Sequence, residues 1–283
     1  MDFLELLKVI LLGIIEGITE WLPVSSSGHI LLFDAVWALQ QTEAFKEIFL
    51  YFVQAGAILA VIVLFFAKLC PFKLTEKANG TDGTPLKRSL YSDKQTWLLW
   101  AKIAVACIPA AVVGILFDMP DEPAIIAITL ILYGIAFLFI EGGKASKVDD
   151  VHGITWAQAL IIGAAQTLSV IPGTSRSGVT ILAALLLGVS RPAGAEFTFF
   201  LAIPVMLGAS LLKILKNFSE VLAFGVEWVY LLTGFAVAFA VSMLCIKLLM
   251  NFVKKHDFKV FGWYRIALGL VVLGVFIIPK LFA

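Results

Sequence analysis

The chain has 283 residues, 61% of them hydrophobic and only 14% charged, with a net charge of +1. A mean hydropathy of +1.00 and a charge content far below the roughly one quarter of soluble domains exclude a water-soluble globular protein. The composition is that of an all-α polytopic membrane protein, for which the net charge matters less than which loops carry Lys and Arg.

The N-terminal Met1-Asp-Phe-Leu-Glu-Leu-Leu-Lys has no basic n-region and no small-residue cleavage site after an apolar core, so no removable signal peptide is expected. The first apolar region, about 3 to 38, is broken by Glu16-Gly-Ile-Thr-Glu20-Trp-Leu-Pro23-Val-Ser25-Ser26-Ser27-Gly28-His29. Neither half of it is long enough to span, so it reads as a re-entrant helix-loop-helix hairpin. Three stretches near 47 to 67, 97 to 117 and 122 to 141 each hold the roughly 20 apolar residues of a membrane span. A second broken region, about 156 to 190, carries Ile171-Pro172-Gly173-Thr174-Ser175-Arg176-Ser177-Gly178. Three further spans are expected near 196 to 216, 225 to 249 and 260 to 282. The hydrophilic stretch 70 to 96, with Asn79-Gly-Thr-Asp-Gly83 and Pro85, reads as a loop without chemistry of its own.

The expected fold is therefore six full transmembrane helices plus two re-entrant hairpins in one integral membrane domain, 1–283. Gly13-Ile-Ile-Glu16 lies over Gly163-Ala-Ala-Gln166, Leu22-Pro23 over Ile171-Pro172, and Ser25-Ser-Ser-Gly28 over Ser175-Arg-Ser-Gly178. This predicts an inverted-topology repeat, 1–141 and 156–283, with a site where the hairpins meet. One set of loops carries Lys68, Lys73, Lys77, Lys87, Arg88, Lys94, Lys144, Lys147, Arg191, Lys254, Lys255 and Lys259. The positive-inside tendency makes that set cytoplasmic, so both termini and the mouth of the first hairpin should face outward.

Glu16 and Glu20, four apart on one helix face, can converge on one cation or polar ligand. A carboxylate at mid-membrane costs about 2.5 to 3.5 kcal/mol, so a pair of them needs a compensating role. His29 sits beside hydroxyls and carboxylates, where an imidazole suits proton transfer, whereas His152 and His256 fall in loops. Arg176 needs an anion at this depth, and its planar fork matches phosphate oxygens; an ion pair with Glu16 or Glu20 is the alternative. Gly173 and Gly178 allow close approach of backbone to ligand, and the following half-helix aims its N-terminus at it. Cys70, Cys107 and Cys245 lack redox or metal spacing, and no disulfide is expected.

Together the two polar motifs resemble the signature pair of the bacterial undecaprenyl-diphosphate phosphatase family associated with bacitracin resistance. The similarity extends over nearly the whole chain and includes Glu196-Phe197 and Ala202-Ile203-Pro204. It implies hydrolysis of undecaprenyl diphosphate to undecaprenyl phosphate and inorganic phosphate in the bacterial plasma membrane, recycling the lipid carrier of peptidoglycan and other envelope polymers. It also implies a divalent cation, Mg or Ca, which Glu16 and Glu20 would hold together with diphosphate oxygens. Ser26 is the favoured nucleophile, activated by His29 or Glu20, with direct attack by water as the alternative. Arg176 with Ser175 and Ser177 would stabilise the phosphoryl group, and Ser25, Ser27, Gly173 and Thr174 complete the substrate-binding set. The expected partners are a polyprenyl diphosphate lipid and the bilayer, with no nucleic acid; a homodimer stays open.

Two rivals are weighed. The phosphohistidine lipid phosphatases need a His six residues beyond the Arg, where Leu182 stands, and a Lys at the position of Ala184. A transporter or flippase fits inverted repeats with broken helices, but needs no serine cluster beside paired carboxylates.

Overall fold

The computed structural model describes residues 2–76, 88–117, 119–140 and 146–281. Lys77, Lys87, Lys144 and the Asn79–Gly83 turn lie outside the described residues. Helices α1 (Phe3–Thr19) and α2 (Ser26–Trp37) form the first broken unit. They are followed by α3 (Glu43–Leu64), the short α4 (Phe66–Leu69), strands β1 (Phe72–Glu76) and β2 (Arg88–Ser92), α5 (Lys94–Leu116) and α6 (Pro123–Ile140). The second broken unit is α7 (Trp156–Gln166) and α8 (Arg176–Leu186), followed by α9 (Arg191–Lys216), α10 (Phe218–Ala223), α11 (Glu227–Val253) and α12 (Lys259–Val272). A π-helical segment, Leu273–Ile277, leads into α13 (Ile278–Leu281).

Six helices, α3, α5, α6, α9, α11 and α12 with its π extension, are long and apolar enough to cross a membrane. The protein is a multi-pass membrane protein. The half-helices of the second unit are each 11 residues long, about 17 Å at 1.5 Å per residue, against a hydrocarbon core about 30 Å thick. Their ends are set locally. Asp2, Thr42, Asp93 and Ser190 accept N-cap bonds, and Thr155 with Gln158 forms a capping box.

Among the described residues the helical chain is interrupted by the antiparallel pair β1 and β2, in register Phe72↔Ser92 to Glu76↔Arg88, and by an isolated bridge between Val148 and Val189. The strand pair lies within the stretch read as a featureless loop. The alternation in Phe72-Lys-Leu-Thr-Glu76 is the signal that reading passed over, drawn instead to the turn residues beyond it. Lys73 ties β1 to Asp93 at the head of α5, and that bond, with Thr96 and the Gln95 N–H, holds the Asp93 carboxyl low, at about 2.

Packing runs across the two halves. Helix α1 lies against α11 and α7 against α5, while α3 packs on both α9 and α11, and α6 on α12. At the crossing of α6 and α12, Gly134 and Gly262 face each other so closely that a Cβ on either would meet the other's carbonyl oxygen at 2.8 Å. This is the small-residue contact by which membrane helices pack without a hydrophobic driving force.

Two groups of polar contacts tie the broken units to the long helices. At one end Lys68 pairs with Glu196 at 2.7 Å, Trp100 donates to the Leu69 carbonyl, and the N–H groups of Lys147 and Val148 donate to the Gly188 carbonyl. At the other, Lys8 reaches Glu5 and the Ala38 carbonyl, Asp2 N–H donates to the Tyr230 hydroxyl, and Lys213 pairs with Glu47. Lys8 on α1 thus meets the chain just beyond α2 in the second group, and the segment before α7 meets the chain just beyond α8 in the first.

Candidate active site

Each broken unit ends its first helix and starts its second around a serine that no ordinary turn would hold. Ser25 has φ 74° and Ser175 φ 65°, a region that L residues avoid unless the surroundings impose it. In each loop the serine hydroxyl bonds the one two residues on: Ser25 to Ser27 at 3.0 Å and Ser175 to Ser177 at 3.2 Å. Ser175 also caps α8 by accepting from the Gly178 N–H. The loops then interlock, for the Gly173 N–H donates to Ser27 Oγ at 3.2 Å and the Ser177 hydroxyl donates to the Leu22 carbonyl at 3.3 Å. Gly173, at φ 83°, lies against α6; a Cβ there would fall 2.2 Å from Thr129 Oγ1.

Across this junction Arg176 Nη2 donates to Glu20 Oε1 at 2.8 Å, and the Ser26 hydroxyl donates to Glu20 Oε2 at 3.3 Å. Arg176 Nη1 reaches the Thr198 carbonyl on α9. Of the two acceptors offered by sequence, Glu20 is thus the one that pairs with Arg176. Glu16 is 1% exposed, and among the described residues no donor group meets either of its carboxyl oxygens; its electrostatic neighbours are Glu20, whose carboxyl lies within hydrogen-bonding reach, and Arg176. A buried carboxylate left so is strongly unfavourable unless something else meets it. Gln166, its counterpart in the second half, is also 1% exposed with both amide atoms unpartnered. Ser26, Ser27, Ser175 and Arg176 are half-buried, whereas Ser25, Gly173, Thr174 and Ser177 are enclosed.

His29, one of the two groups offered by sequence as activator of Ser26, points toward α12. Its Nδ1 lies 2.7 Å from the Ser25 carbonyl and its Nε2 2.7 Å from the Tyr264 hydroxyl, with the two rings stacked at 5.7 Å. A carbonyl only accepts, so Nδ1 carries the proton and Nε2 accepts from Tyr264. Among the described residues the hydroxyl of Ser26 hydrogen-bonds only to Glu20.

A family model described as Bacitracin resistance protein BacA matches residues 9–271. The chain belongs to that family. An undecaprenyl-diphosphatase of Enterococcus faecalis is 53% identical over 282 residues, covering 96% of this chain and 98% of the relative. Those of Lachnoclostridium phytofermentans, at 52% over 99% of this chain and 100% of the relative, and Clostridium acetobutylicum, at 49% over 98% and 100%, are similar along their whole lengths.

This BacA chain adds residues that sequence reasoning missed. Tyr264 and Arg265 sit side by side on α12, and Arg265 donates to carbonyls of both loops. Within an apolar stretch near a basic end, Trp263-Tyr264-Arg265 looks like an ordinary interfacial anchor. Thr198, whose hydroxyl bonds Thr180 and whose carbonyl takes Arg176, carried no signal at all. Beside the first loop a lateral groove of about 600 Å³ opens among α1, α11 and α12, lined by Ile18, Leu22, Val241, Leu244, Leu248 and Phe252 among others. Its walls are almost entirely apolar, and Ile18 and Leu22 flank Glu20 on either side in sequence.

Proposed function

We propose that this protein hydrolyses undecaprenyl diphosphate to undecaprenyl phosphate and inorganic phosphate, and that this recycling of the lipid carrier underlies resistance to bacitracin. Support comes from relatives named undecaprenyl-diphosphatase that match nearly end to end. The observation that carries the reading is the chain Ser26–Glu20–Arg176, which joins a hydroxyl, a carboxylate acceptor and a guanidinium across two loops.

In this reading Ser26 Oγ attacks the terminal phosphorus as Glu20 takes its proton, and the bond from phosphorus to the bridging oxygen breaks, releasing undecaprenyl phosphate. Water then cleaves the phosphoserine ester and frees inorganic phosphate. The same residues serve direct attack by a water that Glu20 deprotonates. Arg176 has five donor hydrogens, and its bonds to Glu20 and Thr198 use two, so its fork can also grip phosphoryl oxygens. The half-buried Ser27 and Ser175 lie in the same two loops with hydroxyls for phosphoryl oxygens, while Ser25, Gly173, Thr174 and Ser177 shape those loops. His29 holds Ser25 and, through Tyr264, joins the loop to α12.

A divalent cation, magnesium or calcium, fits this set. The unpartnered carboxylate of Glu16 suits a hard cation, and Glu20 is its nearest companion, with substrate oxygens and water left to complete the shell. Among the described residues no group of three acidic, His or Cys side chains could hold it without them. When bound, the ion would neutralise charge on the diphosphate oxygens.

The exchange pattern of helix packing, α1 on α11 against α7 on α5, supports an inverted repeat with re-entrant hairpins. The basic loops gather at the end where α7 and α8 open, which supports an outward mouth for α1 and α2 and an outer-leaflet substrate. The apolar groove beside Glu20 supports a lipid-tailed one. Phosphate release in detergent, with and without chelator, tests the whole reading. Arg176→Lys should lose most activity, because an ammonium cannot form the fork; near wild-type turnover would reduce Arg176 to a diffuse charge.

A further inference from the structure

Among the described residues Arg265 is a charged side chain with no charged partner. It is 0% exposed, and its guanidinium is ringed by main-chain oxygens: Nη1 donates to the Pro23 carbonyl at 3.1 Å, and Nη2 to the carbonyls of Gly173 at 2.9 Å and Thr174 at 3.0 Å. Its Nε has no partner, and the Tyr133 ring lies 5.6 Å from Cζ. Among the described residues no carboxylate pairs with it. Taking a cation out of water without a counter-charge costs several kcal/mol even after relaxation, and neutral carbonyls recover only part of that. A fold that only needed to join two loops could do so with an amide or a hydroxyl.

The carbonyls it collects come from both polar loops, Pro23 from the first and Gly173 and Thr174 from the second. In a trans peptide the N–H points opposite the C=O. Drawing the Thr174 carbonyl onto Arg265 therefore turns the Ser175 N–H to the other edge of its plane. The N–H groups of Arg176 and Ser177, in the first turn of α8, are donors that no intrahelical carbonyl reaches. Negative ends of these peptide dipoles thus face the buried guanidinium and positive ends face away from it, an arrangement that gathers donors for an anion. Gly178 belongs to the same construction, for a Cβ there would press on Arg265 Nη1 at 3.1 Å.

We propose that Arg265 is a positioning residue of the phosphate site. It locks the two loops in register, orients their peptide groups toward the phosphoryl oxygens, and supplies a buried positive charge whose counter-ion is the substrate diphosphate. This rests on the phosphatase reading.

Arg265→Met and Arg265→Lys, with wild type, would be compared by kcat and KM for undecaprenyl diphosphate, by inhibition with inorganic phosphate, and by thermal midpoint. Arg265→Met should lower kcat about 10- to 100-fold, as expected when a group behind the reacting shell is removed, and weaken phosphate inhibition severalfold in the molecules that remain folded. Arg265→Lys should recover much of the phosphate inhibition, because charge is kept, but little of the turnover, because one ammonium cannot hold three carbonyls in a fixed plane. A residue that only stabilised the fold would lower the thermal midpoint and the active fraction, leaving KM and phosphate inhibition at wild-type values. That pattern, or full kcat in Arg265→Met, overturns the proposal. If neither variant folds, Gly178→Ala keeps Arg265 and crowds its Nη1; unchanged kcat and phosphate inhibition there overturn it equally. Wild type that releases no phosphate sinks the phosphatase reading instead.

Discussion

Ser25 and Ser175 share one rare backbone conformation, φ 74°, ψ 107° and φ 65°, ψ 114°, at matching places in the two halves of the chain. Each precedes a half-helix and bonds the serine two residues on. Strain of this kind costs about 1 to 3 kcal/mol per residue and persists only where the surrounding structure over-determines it.

Glycine at either position relieves the strain and deletes a hydroxyl. Ser25→Gly is expected to raise the unfolding free energy by about 1 kcal/mol while lowering phosphate release. Ser175→Gly should behave likewise, since replacing the cap serine by glycine costs only a few tenths of a kcal/mol. A lowered thermal midpoint with unchanged turnover in both variants would show that these serines serve stability alone.

The two carboxylates should respond differently to amidation. Glu16, unpartnered and buried, is expected to act through the cation, so Glu16→Gln shifts the metal concentration for half-maximal activity upward and leaves turnover at saturating metal largely intact. Glu20→Gln removes the acceptor for Ser26, and should cut turnover about 10²- to 10⁴-fold at every metal concentration. A metal titration of both variants separates the roles; identical curves would show that the pair acts as one unit.

Tyr264→Phe removes the partner that His29 Nε2 has among the described residues while keeping the stacked ring. If that hydroxyl fixes the imidazole, turnover should fall about tenfold or more with little change in KM. A His29→Asn variant, which keeps a donor for the Ser25 carbonyl, should then become insensitive to the same Tyr264 substitution. Equal losses from Tyr264→Phe in both backgrounds would place Tyr264 outside the His29 contact.

The groove gives a test of lipid selectivity. Leu248→Trp should fill part of its roughly 600 Å³ and raise KM severalfold for undecaprenyl diphosphate, since each buried methylene is worth about 0.8 kcal/mol. Turnover of a short-chain prenyl diphosphate should be unaffected. An equal effect on both substrates would mean the groove holds bulk lipid and not the substrate tail.

The spans and the two polar loops were legible in the sequence because length, apolar runs, Pro and Gly report directly on what a bilayer permits. Glu20, Ser26 and Arg176 were legible for the same reason: charge and hydroxyls at depth need partners, and they became each other's. The target of His29 was not legible, because the direction of a ring depends on Tyr264, which lies 235 residues away in sequence. Arg265 was hidden too. At the middle of a largely apolar helix, nothing local separates a guanidinium that snorkels to the interface from one that turns inward to three carbonyls of two distant loops. Side-chain direction is a tertiary property there, and only the packed helices decide it.

The glycine crossing of α6 and α12 sets a mechanical tolerance for the chemistry. Gly262 is three residues before Arg265, hence on the same helical face, and Gly134 directly follows Tyr133, over whose ring the guanidinium sits. A single methyl at either glycine would wedge the two backbones apart and carry Arg265 away from the carbonyls it holds at about 3 Å. Adaptive changes in this protein should therefore spare that crossing even though neither glycine belongs to either polar loop, and suppressors of a damaged loop should be sought along α6 and α12 as readily as in the loops themselves.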